Sequence, residues 1–274
     1  MPELPEVETV RRTLKNVIIG KKIKQINVFY DKMLLNETRE SFKAKLQGKT
    51  ILNISRYAKY LIFEFEDVSL VSHLRMEGKY FISLSSIPYQ KHEHIIFEFE
   101  DGWSLRYHDT RKFGTMEIVS KGSEFKAKGL DTIGLEPFET EFTLTYLKDK
   151  THRSTRSIKS ALLDQKIVAG LGNIYVDEIL FLSKIYPGKK CLELTDNEFL
   201  LIVENSTIVL DKAIKLGGTT IRSYTSSLGV TGRFQNDLCV HTLDGEPCKV
   251  CNTLIEKTKV GGRGTYYCPK CQRM

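Results

Sequence analysis

The spacing of the last four cysteines restricts the folds open to this chain more than any other feature. Cys248 and Cys251 are separated by two residues, sixteen residues follow, and Cys268 and Cys271 repeat the short spacing. Two such knuckles bind a single ion tetrahedrally, and four sulfur ligands leave no position open for water. The ion is therefore structural and not catalytic, and the donor set points to one zinc ion. The ribbon between and around the cysteines is basic, with Lys249, Lys257, Lys259, Arg263, Lys270 and Arg273 against one acid, Glu256. Its tip, Val260-Gly-Gly-Arg263-Gly264, presents an arginine among glycines, as a turn reaching a phosphate would. A ribbon used for protein contact is the alternative. Cys191 and Cys239 stand apart and read as small, partly buried thiols.

The metal reading depends on the compartment, since cysteines of a cytosolic chain bind metal more often than they form disulfides. The acidic N-terminus lacks the charged-then-apolar layout of a signal peptide, and no apolar run is long enough for a bilayer. A cytoplasmic protein is expected. Its 274 residues allow one large or two ordinary domains. A net charge of +7 favours a polyanionic partner, nucleic acid first among them.

At the other end, Met1-Pro-Glu-Leu-Pro-Glu-Val-Glu-Thr-Val10 combines two kinds of chemistry. A small second residue allows Met1 to be removed, which leaves Pro2 as a terminal secondary amine. Such an amine has a reference pKa of about 8, is partly free base at cellular pH, and attacks carbonyl-like carbons. Glu3 beside it can donate or accept a proton. Pro5 suits a first helical turn, and Leu4, Val7, Val10, Leu14 and Val17 recur at three and four to give one apolar face. The plainer alternative is an ordinary capped helix.

From residue 22 to 120 the pattern is that of antiparallel strands. Lys24 to Phe29, Leu61 to Glu66 and Ile95 to Glu100 alternate apolar and polar residues, and Asp101-Gly102 before Trp103 predicts a two-residue hairpin turn. A sandwich or barrel is expected. Three loops carry cations: Arg56 to Lys59, His73 to Gly78, and His108 to Gly114. The last two each set a large apolar tip, Met76 or Phe113, beside an arginine and near a glycine, which suits a wedge in a base stack. Inward packing of both tips is the alternative. From Phe142 to Gly217 the period becomes helical, with helices from Ile158, from Asn173 to Leu182, and from about Asp196 to Leu216. Gly170-Leu-Gly172 before Asn173, a residue able to cap the next helix, makes a tight turn near Arg153, Arg156 and Lys159. The polar stretch 219–237 reads as a cover over a substrate pocket or as a connector.

Together, Pro2-Glu-Leu-Pro-Glu-Val-Glu-Thr9, His73-Leu-Arg-Met-Glu-Gly78, Asp109-Thr-Arg-Lys-Phe-Gly114, Gly170-Leu-Gly-Asn-Ile-Tyr175 and Gly262-Arg-Gly-Thr-Tyr-Tyr-Cys-Pro-Lys-Cys271-Gln272 closely resemble the bacterial formamidopyrimidine-DNA glycosylases, also called 8-oxoguanine-DNA glycosylases. The likeness runs from Pro2 to Gln272, and Leu4 sets the chain apart from the sister endonuclease VIII group, which typically has Gly there. The resemblance implies an α+β protein: an N-terminal antiparallel β-sandwich with a catalytic helix over 1–135, a helix-two-turns-helix domain over 136–237 and a zinc finger over 238–272, with DNA in the cleft between. It implies a monomeric enzyme acting on double-stranded DNA that holds an oxidised purine or an abasic site. Pro2 would attack C1′ and form a Schiff base, Glu3 would protonate the sugar, and Lys59 and Arg263 would serve β- and δ-elimination. Met76, Arg111 and Phe113 would fill the gap left by the extruded base. His73, His92, Asn173 and Arg153 would grip the backbone, while Glu77 and the segment from Thr219 to Tyr224 would meet the flipped base. A non-catalytic zinc-finger DNA-binding protein is the alternative.

Overall fold

A computed structural model of the chain describes residues 1–219 and 232–272, which form two compact units. The first holds Met1–Asp131 with the described residues of Gly217–Arg233, and the second holds Thr132–Leu216 with the described residues of Phe234–Met274.

The first unit opens with α1 (Leu4–Ile18), then β1 (Ile23–Val28), β2 (Leu34–Leu35), α2 (Arg39–Leu46), β3 (Asn53–Tyr57), β4 (Tyr60–Glu64), β5 (Val68–His73), β6 (Lys79–Leu84), β7 (Glu93–Phe99), β8 (Trp103–His108) and β9 (Thr115–Ser120). The strands make two sheets, one of four strands in the order β1-β7-β8-β6 and one of five in the order β2-β9-β5-β4-β3. All pairings are antiparallel except the short β2, which runs parallel to β9. Alternation sorts the strands' residues: Leu61 and Phe63 of β4, Ile95, Phe97 and Phe99 of β7, and Leu105 and Tyr107 of β8 all enter one core. Val7, Val10, Leu14 and Ile18 of α1 are fully buried in the same core. Each such side chain contributes on the order of 1.5–3 kcal/mol, enough to hold the helix in place. Val17, expected on the buried face, is only half-buried, and Ile18 takes that position.

Two local features differ from the sequence reading. The β7–β8 connection uses three residues, Glu100-Asp101-Gly102, and not two. Gly102 adopts φ 82° and the Asp101 carboxylate accepts the Trp103 N–H at 3.1 Å, a three-residue loop closed by a left-handed glycine. Helix α2 lies within a region that reads as strand; Thr38 caps it, its hydroxyl accepting the Ser41 N–H at 3.1 Å, and Phe42 and Leu46 bury one face.

The second unit contains α3 (Leu144–Thr151), α4 (Ile158–Leu162), α5 (Asn173–Leu182), α6 (Asp196–Lys215), and the hairpin β10 (Glu256–Val260) and β11 (Arg263–Tyr267). Thr195 and Glu198 cap α6 reciprocally: the Thr195 hydroxyl accepts the Glu198 N–H, and the Glu198 carboxylate accepts the Thr195 N–H at 2.8 Å. Gly217 ends that helix at φ 79°. A small core of Phe181, Val240, Cys248, Ile255 and Cys268 sits under the hairpin. Burial pushes the Cys191 and Cys239 thiols up to about 11, which fits unreactive packing groups. No described helix is long and apolar enough to cross a membrane.

Candidate active site and nucleic-acid interface

In the first unit, Pro2 and Glu3 are buried immediately before α1, while Met1 is 51% exposed. Glu6, a first-turn residue, fixes this segment. One carboxylate oxygen accepts the Glu3 N–H at 2.9 Å, and the other accepts the Thr219 N–H at 2.7 Å and its hydroxyl at 3.1 Å. Gly218 adopts φ +76°, and a Cβ there would stand 2.6 Å from the same Glu6 oxygen. Thr219 is thus seated on the first turn of α1. Tyr224, in the same expected base-covering segment, lies outside the described residues.

One turn on, Glu8 binds three arginines: Arg11 at 2.8 Å, Arg12 at 2.7 Å and Arg56 of β3 at 3.2 Å. Burial alone would raise its pKa, but hydrogen bonds from Arg11 and Arg12 and the charges of Arg11 and Arg56 outweigh that and hold the carboxyl at about 2. The ion cluster ties α1 to the strand that leads into Lys59.

Lys59 is buried on the turn between β3 and β4, where Tyr57 pairs with Tyr60. Ala58 adopts φ 51°, and its carbonyl accepts an Arg56 N–H at 2.8 Å. His73, at the end of β5, is also buried, and its Nδ1 accepts the Arg75 N–H at 2.9 Å. Burial first, then the charges of Arg75 and Lys59, push the imidazole down to about 3. The ring is therefore neutral near pH 7 with its proton on Nε2, a donor suited to a phosphate oxygen.

The two wedge loops converge on one side chain. A Cβ on Gly78 would stand 2.2 Å from the Tyr107 hydroxyl oxygen, and one on Gly114 would stand 1.6 Å from it. Both glycines allow a loop to close over that buried tyrosine. The tips face outward, with Met76 40% and Phe113 53% exposed, so inward packing is not what these residues do. Arg111 lies 4.9 Å over the Phe113 ring. Fully buried Asp109 shapes this loop, its carboxylate accepting the N–H groups of Arg111, Phe113 and Gly114, each at 2.9 Å. Glu77, half-buried, accepts the Thr110 hydroxyl and so links the two loops. His94 is the buried strand residue, bonded to the Asp109 carbonyl at 2.8 Å, whereas His92 precedes β7 at φ 75° and is half-buried. Arg75, His92 and Lys112 join Ala58 as non-glycine residues with left-handed backbone, each at or next to an expected site residue.

In the second unit, the expected cap of α5 is not Asn173 but Gly172, and Asn173 is the first helical residue. Its side chain is engaged elsewhere, donating to the Gly264 carbonyl at 2.9 Å. Arg153 is exposed just beyond α3. Arg263 is exposed at the start of β11, where it pairs with Val260 across the two-residue turn Gly261-Gly262, both glycines at positive φ. The four cysteine sulfurs lie within 4.8 Å of one another, with Cys248 to Cys271 at 3.9 Å and Cys251 to Cys268 at 3.4 Å. Bonds of about 2.3 Å to a tetrahedral zinc ion place sulfurs roughly 3.8 Å apart, so the donor set fits. The Val250 and Cys271 N–H groups point at Cys248 and Cys268 sulfurs, at 3.5 and 3.4 Å, and would stabilise thiolate charge.

Sequence reasoning did not single out Asp109, Tyr107 or Glu6 for these structural parts. An Asp two residues before an exposed Arg is the pattern of a side-chain-capped turn and could have flagged Asp109. Nothing local marks Tyr107, whose neighbours come from two separate loops.

Comparison with known proteins supplies the family. Residues 1–116 match the formamidopyrimidine-DNA glycosylase N-terminal domain, residues 133–225 the H2TH domain of the same enzymes, and residues 245–273 a zinc finger found in FPG and IleRS. The chain is 50% identical over 273 residues to the formamidopyrimidine-DNA glycosylase of Ligilactobacillus salivarius, covering 99% of both chains. It is 48% identical to that of Bacillus cereus, again over 99% of each. Among solved structures, it is similar to a Lactococcus lactis FPG variant in complex with Fapy-dG-containing DNA (TM-score 0.94, 47% identity, all of both chains). It is equally similar to Lactococcus lactis Fpg bound to abasic-site DNA (TM-score 0.93, 47% identity, 99% of this chain and 100% of that one). The cysteine cluster accordingly holds one structural zinc ion. The chain belongs to the formamidopyrimidine-DNA glycosylase family.

Proposed function

We propose that this DNA glycosylase and abasic-site lyase removes oxidised purines, 8-oxoguanine and formamidopyrimidines, from double-stranded DNA and then cuts the strand on both sides of the gap. The Lactococcus lactis complexes with Fapy-dG and abasic-site DNA support that substrate class. The observation that carries the mechanism is the Pro2–Glu3 pair, buried at the start of α1 and braced by Glu6.

The damaged nucleotide leaves the stack first. With Met1 removed, the Pro2 nitrogen attacks C1′ of the sugar; the new N–C1′ bond forms as the bond to the base breaks, and the base departs with the electron pair. Glu3 protonates the ring oxygen as the ring opens, which leaves a Schiff base on Pro2. Loss of the C2′ proton then expels the 3′ phosphate, and loss of the C4′ proton expels the 5′ phosphate. Lys59 serves the first elimination and Arg263 the second, each as proton donor to the departing side. Both cations also suit phosphate positioning.

Binding uses the neutral His73, His92, Arg153 and Asn173 on the backbone. Met76 and Phe113 wedge into the stack, and Arg111 donates to the acceptors of the orphaned cytosine. Glu77, Thr219 and Tyr224 line the site of the flipped base. The working form is a cytoplasmic monomer. The division at 135 and 237 into sandwich, helical domain and finger completes the proposal.

Borohydride reduction in the presence of an abasic-site duplex tests the central step. A covalent adduct whose sugar remnant maps to Pro2 is expected. A remnant on a lysine, or no adduct at all, would overturn the mechanism. Glu3→Gln should bind DNA normally yet lose base excision, and normal turnover in that variant would remove Glu3 from the chemistry.

A further inference from the structure

The second unit contains a chain of buried polar groups that the proposed chemistry does not use. Lys159 of α4 and Asp177 of α5 are both fully buried and bonded at 2.7 Å. The other Asp177 oxygen bonds His241 Nδ1 at 2.8 Å. Lys159 Nζ also donates to the Gly264 carbonyl at 3.0 Å, the same carbonyl that accepts from Asn173. Gly264 follows Arg263 directly, so two donors fix the Gly264–Thr265 peptide group, one residue beyond the arginine. On the other side the turn lies against α4, where a Cβ on Gly261 would stand 2.3 Å from the Ser160 hydroxyl oxygen. The next residue, Glu178, grips the segment that carries His241: its carboxylate accepts the N–H groups of Cys239, Val240 and His241 at 2.8, 3.0 and 2.9 Å.

We propose that Asp177 is a positioning residue for Arg263, acting through Lys159 and the Gly264 carbonyl and itself oriented by His241. A buried ion pair is a poor source of net stability, since desolvation offsets most of its attraction. Its value here is directional. Lys159 has a long side chain with many rotamers, and Asp177 selects the one that points Nζ at the finger turn. His241 occupies the second carboxylate oxygen and so fixes the plane of the first. Arg263 is exposed, and its own carbonyl is held locally, by the Thr265 hydroxyl at 3.0 Å; the Lys159 and Asn173 bonds to Gly264 tie that strand end to α4 and α5. Sub-ångström placement of a group that serves a transition state is worth about an order of magnitude or more in rate.

The inference rests on the reading that Arg263 serves δ-elimination, and one set of measurements separates the two. Zinc-loaded full-length protein would be reacted with an abasic-site duplex, and the β and δ products followed in single turnover beside zinc content. Arg263→Gln should slow the δ step while the β step persists. Asp177→Asn should do the same, by about tenfold, with zinc retained and the β step within about twofold of the parent protein. His241→Phe, which keeps the ring against Tyr266, should give a smaller loss of the same kind. In the Arg263→Gln background, Asp177→Asn should add nothing to the δ defect. If Arg263→Gln leaves the δ step intact, the reading of Arg263 fails and the inference falls with it. If Arg263→Gln slows it and Asp177→Asn does not, or if β, δ and zinc all fall together, the inference alone is overturned. Should Asp177→Asn not fold, His241→Phe decides: a selective δ loss supports the proposal and an unchanged product ratio overturns it.

Discussion

Each unit carries an exposed arginine on a tight turn, Arg111 in the first and Arg263 in the second, and the two are held by different means. The Arg111 loop stands on a large apolar core and is shaped by one carboxylate, Asp109, which gathers three consecutive-region N–H groups. The Arg263 turn stands on a core of a few residues, two of them cysteines. It is held by a metal centre, a pair of glycines, and a buried Lys159–Asp177 pair. Where apolar area is plentiful, a local hydrogen-bonding group is enough to define a loop. Where it is scarce, ion binding and long-range charge must supply the rigidity.

That contrast can be broken most severely at the metal. Cys268→Ser should cost zinc and DNA affinity together, since structural zinc contributes on the order of 10 kcal/mol to finger folding; the cores of both sheets should survive, which circular dichroism can show. Affinity unchanged in a zinc-free variant would mean the finger needs no metal. Asp109→Ala attacks the other device. It leaves three N–H groups without their acceptor, at about 1–3 kcal/mol for each that stays buried, and excision of 8-oxoguanine opposite cytosine should fall by about tenfold or more with zinc content unchanged. Gly114→Ala is a milder probe of the same loop. Its Cβ would meet the Tyr107 hydroxyl oxygen at 1.6 Å and its ring carbon at 2.7 Å. A cost of about 1–3 kcal/mol is expected, seen as a lower Tm, and Tyr107→Phe in the same chain should recover part of it.

The smallest effect is electrostatic. Glu8 sits at about 2 in the folded protein against an ordinary value of 4.5. A lowered carboxyl pKa contributes stability that is fully present above 4.5 and is lost as pH falls through about 2. Glu8→Gln should therefore lower Tm at pH 7 and flatten the acid limb of the Tm-against-pH curve between about 5 and 2. His73, lowered to about 3, adds to the same acid limb, because the unfolded chain takes up its proton first as pH drops below 6.5. An acid limb of equal slope in the parent and Glu8→Gln would remove the ion cluster from the account of how α1 is held.

The sequence was legible where one element carries its own pattern. The apolar spacing of α1, the alternation in β4 and β7, the helical period of α6 and the paired cysteines all repeat locally. Helix α2 escaped because its eight residues bury only Phe42 and Leu46, too few for a periodic reading. The parts of the site that escaped depend on distance along the chain. Lys159 meets the Gly264 carbonyl across 105 positions, and Glu6 meets Thr219 across 213. Asn173 read as a helix cap because its type favours caps, yet Gly172 leaves the side chain free to serve the finger turn instead.

Asp109 has a consequence for how such an enzyme changes. Its carboxylate holds the loop through the main-chain N–H groups of 111, 113 and 114, so that hold does not depend on which side chains stand at 111 and 113. Geometry and chemical content are inherited separately there. The exposed side chains at 111 and 113 can be exchanged one at a time while the socket that presents them stays the same.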